Sequence, residues 1–196
     1  FASSDDADLY LPTDTIFSSA RRLEGRHFKS AQVLVTAAAD TIIPEAQLQN
    51  LLGQSFPMCS PAPQRARSRF GVSVETVAGQ PRINAHAPSE IYFQPPPGAH
   101  TITATVGLSP SAYAKPLPEA SDGVVIEILA EQPDGLRQSL YRRHLQPATN
   151  PADRGPQEIT YQQTTPLVYP LVFLVTIGPA KNPDYDQAYW SRIRIN

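Results

Sequence analysis

The sequence is poor in cysteine. A single cysteine, Cys59, occurs in 196 residues, so no disulfide can form within the chain. Cys59 lies in a proline-rich stretch and is interpreted as an ordinary free thiol. One cysteine neither demands nor excludes an oxidising compartment.

Long hydrophobic runs are also missing. No segment approaches the roughly 20 consecutive apolar residues of a membrane-spanning helix, so we predict no membrane insertion by this segment. No signal peptide stands at Phe1, and the abrupt polar start is typical of a processed product.

The chain has no excess of positive charge, because its formal net charge is −2. Three arginines, Arg65, Arg67 and Arg69, alternate with small residues and would share one face of a strand. No aromatic residues are interleaved with them, which argues against nucleic-acid binding. We interpret them instead as the charged protection of an exposed edge strand.

Recognisable catalytic motifs are absent from the sequence. It contains no Gly-x-Ser-x-Gly, no His-Glu-x-x-His, no Walker loop and no dinucleotide fingerprint. A carboxylate pair such as Asp122 and Asp186 would depend on geometry, so an activity associated with glycoside hydrolysis stays as the alternative. We predict that the chain is not an enzyme.

Proline, by contrast, is abundant, with 21 residues against 10 glycines. Proline breaks long helices and is typical of rigid loops between short strands. A hydrophobic share of 41% is enough to build a sizeable core. These features predict an all-β protein, an antiparallel jelly-roll β-sandwich.

The strongest strand signal lies between residues 72 and 108. Residues 90–94 and 101–107 both alternate apolar and polar side chains, which predicts two strands that each bury one face. Further strands are predicted at residues 124–129, 138–145, 157–161, 167–177 and 188–195. The continuously apolar run at residues 167–177 should be a central strand buried on both faces, and residues 188–195 should close the sheet.

The first third of the chain differs from the rest. Residues 1–14 are acidic and predict an irregular arm. Residues 44–53 predict one short helix, because a proline opens the segment, leucines follow at helical spacing and a glycine ends it. We therefore expect residues 1–68 to form an extension that packs on a sandwich of residues 69–196.

Residues 71–196 resemble the NPCBM-like domains, a carbohydrate-binding-module-like family with a galactose-binding-like jelly roll. The resemblance rests on the order and spacing of several landmarks: His86-Ala87-Pro88-Ser89, Val106-Gly107, Asp122-Gly123-Val124, Val172-Phe173-Leu174-Val175 and Asp186-Gln187-Ala188-Tyr189-Trp190. It implies a jelly-roll fold and a carbohydrate-related function without catalysis.

Four residues near these landmarks need interpretation. His86 could bind a metal or act as a base, but it is interpreted as a structural histidine, because no second histidine or cysteine stands at ligand spacing. Asp122 is interpreted as a turn residue, with a calcium ligand or a sugar acceptor as alternatives. Asp186 and Trp190 would share one face of a strand. We assign Trp190 to the core, with a sugar platform as the alternative.

The longest loops, at residues 108–123, 146–156 and 178–186, are expected to converge at one end or edge of the sandwich. The predicted carbohydrate-binding residues are Tyr113 as a flat apolar face, Asp122 and Asp186 as acceptors, and Arg143 as a charged donor. No cofactor is predicted, apart from a structural calcium ion as an alternative.

The resulting functional hypothesis is a non-catalytic carbohydrate-binding or carbohydrate-associated module of the cell envelope or of a secreted protein. Its partner would be a glycan or polysaccharide, and its location periplasmic or extracellular. The alternative is a structural or protein-interaction domain with an envelope protein partner, such as the periplasmic part of a membrane-bound glycosyltransferase. Two or more aromatic residues lining one concave patch would favour sugar, and the candidates are Tyr113, Tyr141, Tyr185, Tyr189 and Trp190. A flat apolar patch with buried aromatics would favour a protein partner.

Overall fold

The computed structural model describes residues 58–117 and 119–196. Within this part of the chain the regular structure is β-strand, with short 3₁₀ turns at Pro110–Tyr113 and Pro151–Asp153 and no α-helix. The acidic arm predicted at residues 1–14 and the helix predicted at residues 44–53 lie outside the described residues.

Eleven strands follow one another along the described chain. They are β1 (Cys59–Ser60), β2 (Arg65–Ser68), β3 (Val72–Val77), β4 (Gln80–Ala85), β5 (Ser89–Phe93), β6 (Thr101–Leu108), β7 (Val124–Glu131), β8 (Arg137–Leu145), β9 (Gln157–Gln162), β10 (Leu171–Ile177) and β11 (Ala188–Ile195).

The strands form two sheets that pack face to face. The six-stranded sheet has the order β3-β4-β11-β6-β9, with β1 also paired to β11, and the five-stranded sheet has the order β2-β5-β10-β7-β8. All strand pairs are antiparallel except β1 with β11, which is parallel. Side chains from both sheets share one hydrophobic core. The predicted all-β jelly-roll sandwich is confirmed.

Strand β10 is the middle strand of the five-stranded sheet, as its apolar sequence predicted. Leu171, Phe173 and Val175 belong to the shared core, whereas Val172 and Leu174 alternate with them and are buried on the opposite, outer face. The strand begins four residues later than predicted. Pro170 precedes it, and the Pro170 carbonyl accepts from the Glu131 amide at 2.8 Å.

Strands β5 and β6 belong to different sheets, so the proline-rich turn between them crosses from one layer to the other. Strand β5 was expected to bury one face, but all five of its residues are buried. It lies between β2 and β10, and its outer-face side chains Glu90 and Tyr92 are covered as well as its core side chains.

Strand β11 does not close the sheet, which corrects the sequence-based expectation. It lies between β4 and β6 in the six-stranded sheet. Its Trp190 is 0% exposed, and the indole packs edge-on against Phe173 of the other sheet with 5.0 Å between ring centroids. The last strand in sequence is therefore central in space, because antiparallel partners are chosen by side-chain fit and not by chain order.

The outer faces of the two sheets differ in chemistry. Strand β6 presents Thr101, Thr103 and Thr105 on the outer face of the six-stranded sheet, opposite its core residues. On the outer face of the five-stranded sheet lies a second apolar cluster, separate from the core: Tyr92, Leu129, Val172 and Leu174. We call these four residues the outer cluster.

The edge of the five-stranded sheet beside the outer cluster is strand β2. It carries Arg65 and Arg67, while Arg69 follows the strand. Arg65 lies 3.9 Å from the centre of the Tyr92 ring and 3.2 Å from Glu131. The arginines therefore mark an edge strand, as the sequence predicted.

Candidate functional site

The three long loops meet at one end of the sandwich, where β7 begins and β8 and β10 end. The pairings of Val124 with Leu145 and with Ile177 place these strand ends side by side. The loops enclose a cavity of about 180 Å³. Its lining is drawn from all three loops: Leu117, Ser121, Asp122, Gln146, Ala148, Thr149, Pro179 and Ala180. The expected convergence of the loops is confirmed.

Two glycines allow the loops to approach so closely. Gly123 has a φ of +105°, and a Cβ there would lie 2.3 Å from the Leu145 carbonyl oxygen. A Cβ on Gly178 would lie 2.5 Å from the Gly123 carbonyl oxygen and 2.7 Å from Asp122 Oδ2. Any larger residue at either position would push the loops apart.

Asp122 is the carboxylate that lines the cavity. Its Oδ2 accepts a hydrogen bond of 2.7 Å from the backbone N–H of Ala180, which ties the first loop to the third. Its Oδ1 is buried and has no hydrogen-bond partner among the described residues. One oxygen thus holds the loops together, and the other is left with its acceptor capacity unused.

Asp186 lies next to Asp122 but is fully buried. One carboxylate oxygen accepts from the Ser121 hydroxyl, and Oδ2 has no partner within the described part of the chain. Burial is the main cause that raises the pKa of Asp186 to about 7, and the nearby charge of Asp122 raises it further, while the Ser121 hydrogen bond opposes the change. Below that pH the Asp186 carboxyl carries a proton.

The two unused carboxylate oxygens supply only part of a calcium site. Calcium takes six to eight oxygen ligands. In residues 58–117 and 119–196 no group of three or more His, Cys, Asp or Glu side chains is placed to hold a metal ion. Asp122 and Asp186 would need further oxygen ligands to hold a calcium ion.

Arg143 shapes the second loop. Its guanidinium donates to Asp153 at 2.7 Å and to Gln157 at 2.9 Å. Asp153 also accepts from the Gln146 amide and from Asn150. Burial alone would raise the pKa of Asp153, but these hydrogen bonds lower it below the ordinary value. Arg143 does not line the cavity; it holds the loop that contributes Gln146 to it.

Tyr113 ends the 3₁₀ turn of the first loop and packs, half-buried, against the core. The Arg154 guanidinium lies 5.6 Å from the centre of its ring. Tyr113 is not among the residues that line the cavity. Of the four predicted binding residues, only Asp122 lines the cavity; Asp186 is buried behind it, and Tyr113 and Arg143 lie outside the cavity wall.

The other aromatic candidates also lie elsewhere. Tyr189 is almost buried beneath the Arg82 guanidinium, which lies 4.4 Å from the ring centre, and Trp190 is in the core. Tyr185 is exposed and Tyr141 is half-buried. None of the five aromatics named from the sequence lines the cavity.

His86 stands at the entrance to β5, away from the cavity. Its ring packs against Phe70 with 4.4 Å between ring centroids, and its Nδ1 lies 2.9 Å from the Ala87 carbonyl oxygen. A carbonyl only accepts, so this contact requires a hydrogen on Nδ1. One of these contacts is ring packing, and the other is a hydrogen bond to the backbone.

Sequence reasoning did not identify Gln146, Thr149, Leu117 and Pro179 as cavity residues. The available signal was their position in loops that are long for a compact domain. Gly178 was also missed, although its place directly after a buried strand marks a close approach of backbones.

No family model matches the sequence, and no curated protein matches it. Among solved structures, the fold is similar to that of several carbohydrate-binding modules. One contains CBM51-2 of Clostridium perfringens ZmpB in complex with GlcNAc, with a TM-score of 0.39 at 13% identity over 63% of this chain. This chain spans 24% of that structure's length.

Two further similarities cover most of the compared chain. A family 6 carbohydrate-binding module aligns with a TM-score of 0.41 at 12% identity, over 68% of this chain and 87% of the module. The CBM22-1 xylan-binding domain of Paenibacillus barcinonensis Xyn10C aligns with a TM-score of 0.38 at 13% identity, over 67% and 84%. These similarities concern the fold alone.

No helix within residues 58–117 and 119–196 is both long and apolar enough to cross a bilayer.

Proposed function

We propose that this chain is a non-catalytic carbohydrate-binding module whose site is the three-loop cavity. The observation that supports this is the composition of the cavity wall. Asp122, Gln146 and Thr149 offer hydrogen-bonding groups suited to hydroxyls, and Leu117 and Pro179 offer apolar surface between them. A mixture of apolar wall and a few polar groups is typical of a small-molecule site.

The size of the cavity limits the ligand. Pockets for drug-sized ligands hold roughly 300–1,000 Å³, whereas this one measures about 180 Å³. The proposed occupant is a single sugar residue at the end or on a branch of a glycan or polysaccharide. Each neutral hydrogen bond would contribute only about 0.5–1.5 kcal/mol, so the affinity should be low.

The four predicted residues take different parts in this proposal. Asp122 lines the cavity and is proposed to accept directly from a sugar hydroxyl. Asp186 and Arg143 are positioning residues, because one supports the Asp122 loop from below and the other holds the Gln146 loop. Tyr113 is proposed to contact the next sugar residue outside the cavity, where its ring offers a partly exposed face.

We propose a function without catalysis because of where the two carboxylates lie. A glycosidase needs two carboxyl groups that flank the scissile bond, about 5–9.5 Å apart. Here Asp122 reaches the cavity, but Asp186 is fully buried behind Ser121. Only one of the two carboxylates could contact a sugar.

A glycan array followed by calorimetric or NMR titration tests this function. The wild type should bind at least one glycan, and Gln146→Ala and Asp122→Asn should weaken that binding about threefold to tenfold each. The matched control is Gln138→Ala, an exposed glutamine on the same strand pair at the opposite end of the sandwich. No binding by the folded wild type across diverse glycans, with and without calcium, would rule out the carbohydrate function.

A protein-interaction function is the second candidate, because apolar side chains are exposed at the end opposite the cavity. Leu136 is 56% exposed, Val168 63% and Tyr169 38%. Hydrogen bonds between Glu131 and Pro170 and between Gln132 and Leu136 place these residues on two connections at that end. Chemical cross-linking in an envelope fraction tests it: a partner captured by the wild type and by Gln146→Ala, but not by Val168→Asp, would support it.

The proposed partners imply a location. Glycan and polysaccharide ligands of a cell envelope lie outside the cytoplasm, so we place the chain in the periplasm or outside the cell. Fractionation of the source cells, with detection by an antibody, should recover it there, and recovery with the cytoplasmic proteins would contradict this location.

A further inference from the structure

The outer cluster of the five-stranded sheet is buried in a way that a two-layer sandwich does not account for. Leu129, Val172 and Leu174 are fully buried, although they point away from the core between the sheets. An open sheet face normally leaves its side chains in contact with water. Something must cover this face.

The pairings show that the outer cluster is continuous. Val172 lies directly between Tyr92 and Leu129, and Leu174 lies between Glu90 and Glu127. Side chains opposite one another on neighbouring strands lie about 4.5–5.5 Å apart at Cβ, so these residues form one patch across three strands.

Charged side chains account for only part of the cover. Arg137 donates to Glu90 at 2.7 Å and to the Tyr92 hydroxyl at 2.9 Å, and Arg65 lies over the Tyr92 ring. Arg137 lies on β8 and reaches Glu90 on β5, so its side chain crosses the outer face. Beside Leu174, Glu127 accepts from Ser139 and pairs with Arg142. The side chains of Arg137 and Glu127 are themselves only 10% and 6% exposed, so these charged groups also lie beneath a cover.

No described element supplies a third layer. All strands of residues 58–117 and 119–196 belong to the two sheets. The two 3₁₀ turns are hydrogen-bonded within the loops that surround the cavity at one end. The outer face of the other sheet differs in chemistry, because β6 presents the polar residues Thr101, Thr103 and Thr105 there.

We propose that residues 1–57 of this chain cover the outer cluster. They are 57 residues long, and the described chain enters at Met58 beside β11 and passes directly to β2, the edge strand next to Tyr92. The segment also has apolar residues to bury: Leu48, Leu51 and Leu52 recur at the spacing of one helical face. Residues 58–64 connect this segment to β2, the edge strand beside the outer cluster.

Photo-cross-linking in the intact chain tests the proposal. Ser139 is an exposed residue of β8 that lies opposite Leu129 at the rim of the outer cluster. A photoreactive residue introduced as Ser139→p-benzoylphenylalanine should form cross-links that map by mass spectrometry to residues 1–57. The matched control is Thr160→p-benzoylphenylalanine, at an exposed position of edge strand β9 in the other sheet, which should not form them.

Cysteine labelling gives an independent measurement in the same intact chain, in a Cys59→Ser background. Val172→Cys should react with a thiol reagent at least about a hundredfold more slowly than Val77→Cys, which sits at an exposed hairpin position, and about as slowly as the core variant Val175→Cys. The Val175→Cys and Val77→Cys rates also report that the sandwich is folded.

Three results would overturn the proposal. Val172→Cys could react as fast as Val77→Cys, which would mean that the face is open. The Ser139 cross-links could lie only within residues 58–196, which would mean that the sandwich covers itself. The cross-links could join two chains and run as dimers on gels, or the thiol protection could disappear on dilution. Either result would identify a second copy of the chain as the cover.

Discussion

At the scale of single residues, the burial of Asp186 makes the stability of the folded state depend on pH. Its pKa is raised to about 7 by burial, from an ordinary value near 3.8 in the unfolded chain. The folded state therefore binds the proton more tightly than the unfolded state does. Proton binding by Asp186 stabilises the folded state fully below about pH 4. This stabilisation decreases as the pH rises from 4 to 7 and is absent above pH 7.

The first prediction is that Asp186→Asn removes this pH dependence. An amide cannot ionise, so between pH 4 and pH 7 the free energy of unfolding of the wild type should fall relative to that of the variant, by at least about 1 kcal/mol. Urea denaturation at several pH values measures the difference, and the comparison cancels the opposite contribution of Asp153. A difference that stays constant from pH 4 to 8 would contradict it. If added calcium stabilised the wild type at pH 8 but not the variant, the calcium alternative would gain support.

The second prediction separates two costs of replacing a glycine. Gly123 and Gly135 both have positive φ, of +105° and +83°, but only Gly123 has a neighbour where a Cβ would go. Gly135→Ala should cost about 1–2 kcal/mol from backbone strain alone. Gly123→Ala should cost at least about 2 kcal/mol more, because its Cβ would collide with the Leu145 carbonyl. Chemical denaturation of both variants measures this, and equal losses would mean that the loops relax easily.

The third prediction concerns Trp190. Because its indole is fully buried against Phe173, Trp190→Ala should cost about 3–5 kcal/mol. Trp190→Phe should cost less, since Nε1 has no hydrogen-bond partner among the described residues and the ring contact is partly kept. Far-UV circular dichroism should follow the unfolding, as the variants contain no tryptophan to report by fluorescence. An unchanged melting temperature in the alanine variant would place the indole at the surface.

At the scale of strands, the fourth prediction concerns the ion pair that connects β5 with β8 across the outer face. Glu90 is fully buried, and Arg137 donates to it at 2.7 Å. Removing one partner by Arg137→Ala would leave a buried charge and should cost about 3–5 kcal/mol. Glu90→Gln together with Arg137→Ala should restore part of that loss.

The matched comparison for this ion pair is Lys115 with Glu119, at 2.9 Å but largely exposed. Lys115→Ala should change stability by no more than about 1 kcal/mol. If both alanine variants lost the same amount, then burial would not govern these pairs.

Much of the strand pattern could be predicted from the sequence, because alternation and turn residues are local signals. The positions of β6, β8, β10 and β11 were predicted to within a few residues. Their neighbours could not be predicted. The period-2 pattern shows which side chains share a face, but it does not show which strand lies beside which. The pattern therefore missed both the central place of β11 and the second buried face of β5.

At the scale of the whole molecule, loop length predicted where the cavity would lie, and it did not predict which residues would line it. Asp122 and Asp186 are 64 positions apart in sequence, and the loops that carry them approach at two glycines where the backbones nearly touch. Arg143 had the right chemistry for a sugar, but Asp153 engages it from the same loop. Whether Arg143 pairs with Asp153 or stays available to a ligand depends on three-dimensional geometry, which a sequence motif does not contain.

The fifth prediction also follows at this scale, from the place of β11 between β4 and β6. In a nascent chain on the ribosome that still lacks residues 188–195, the pair β3 with β4 and the pair β6 with β9 would be separated, because β11 joins them. Folding of the sandwich should therefore be a late, post-synthetic event for this segment. Ribosome-bound chains stalled just before residue 188 should be rapidly digested by protease, whereas chains extended by a long linker beyond residue 196 should resist. Until that last strand emerges from the ribosome, the apolar faces of the other strands would be exposed, and chaperones would bind them. The time that β11 takes to emerge would therefore determine how much of the protein aggregates.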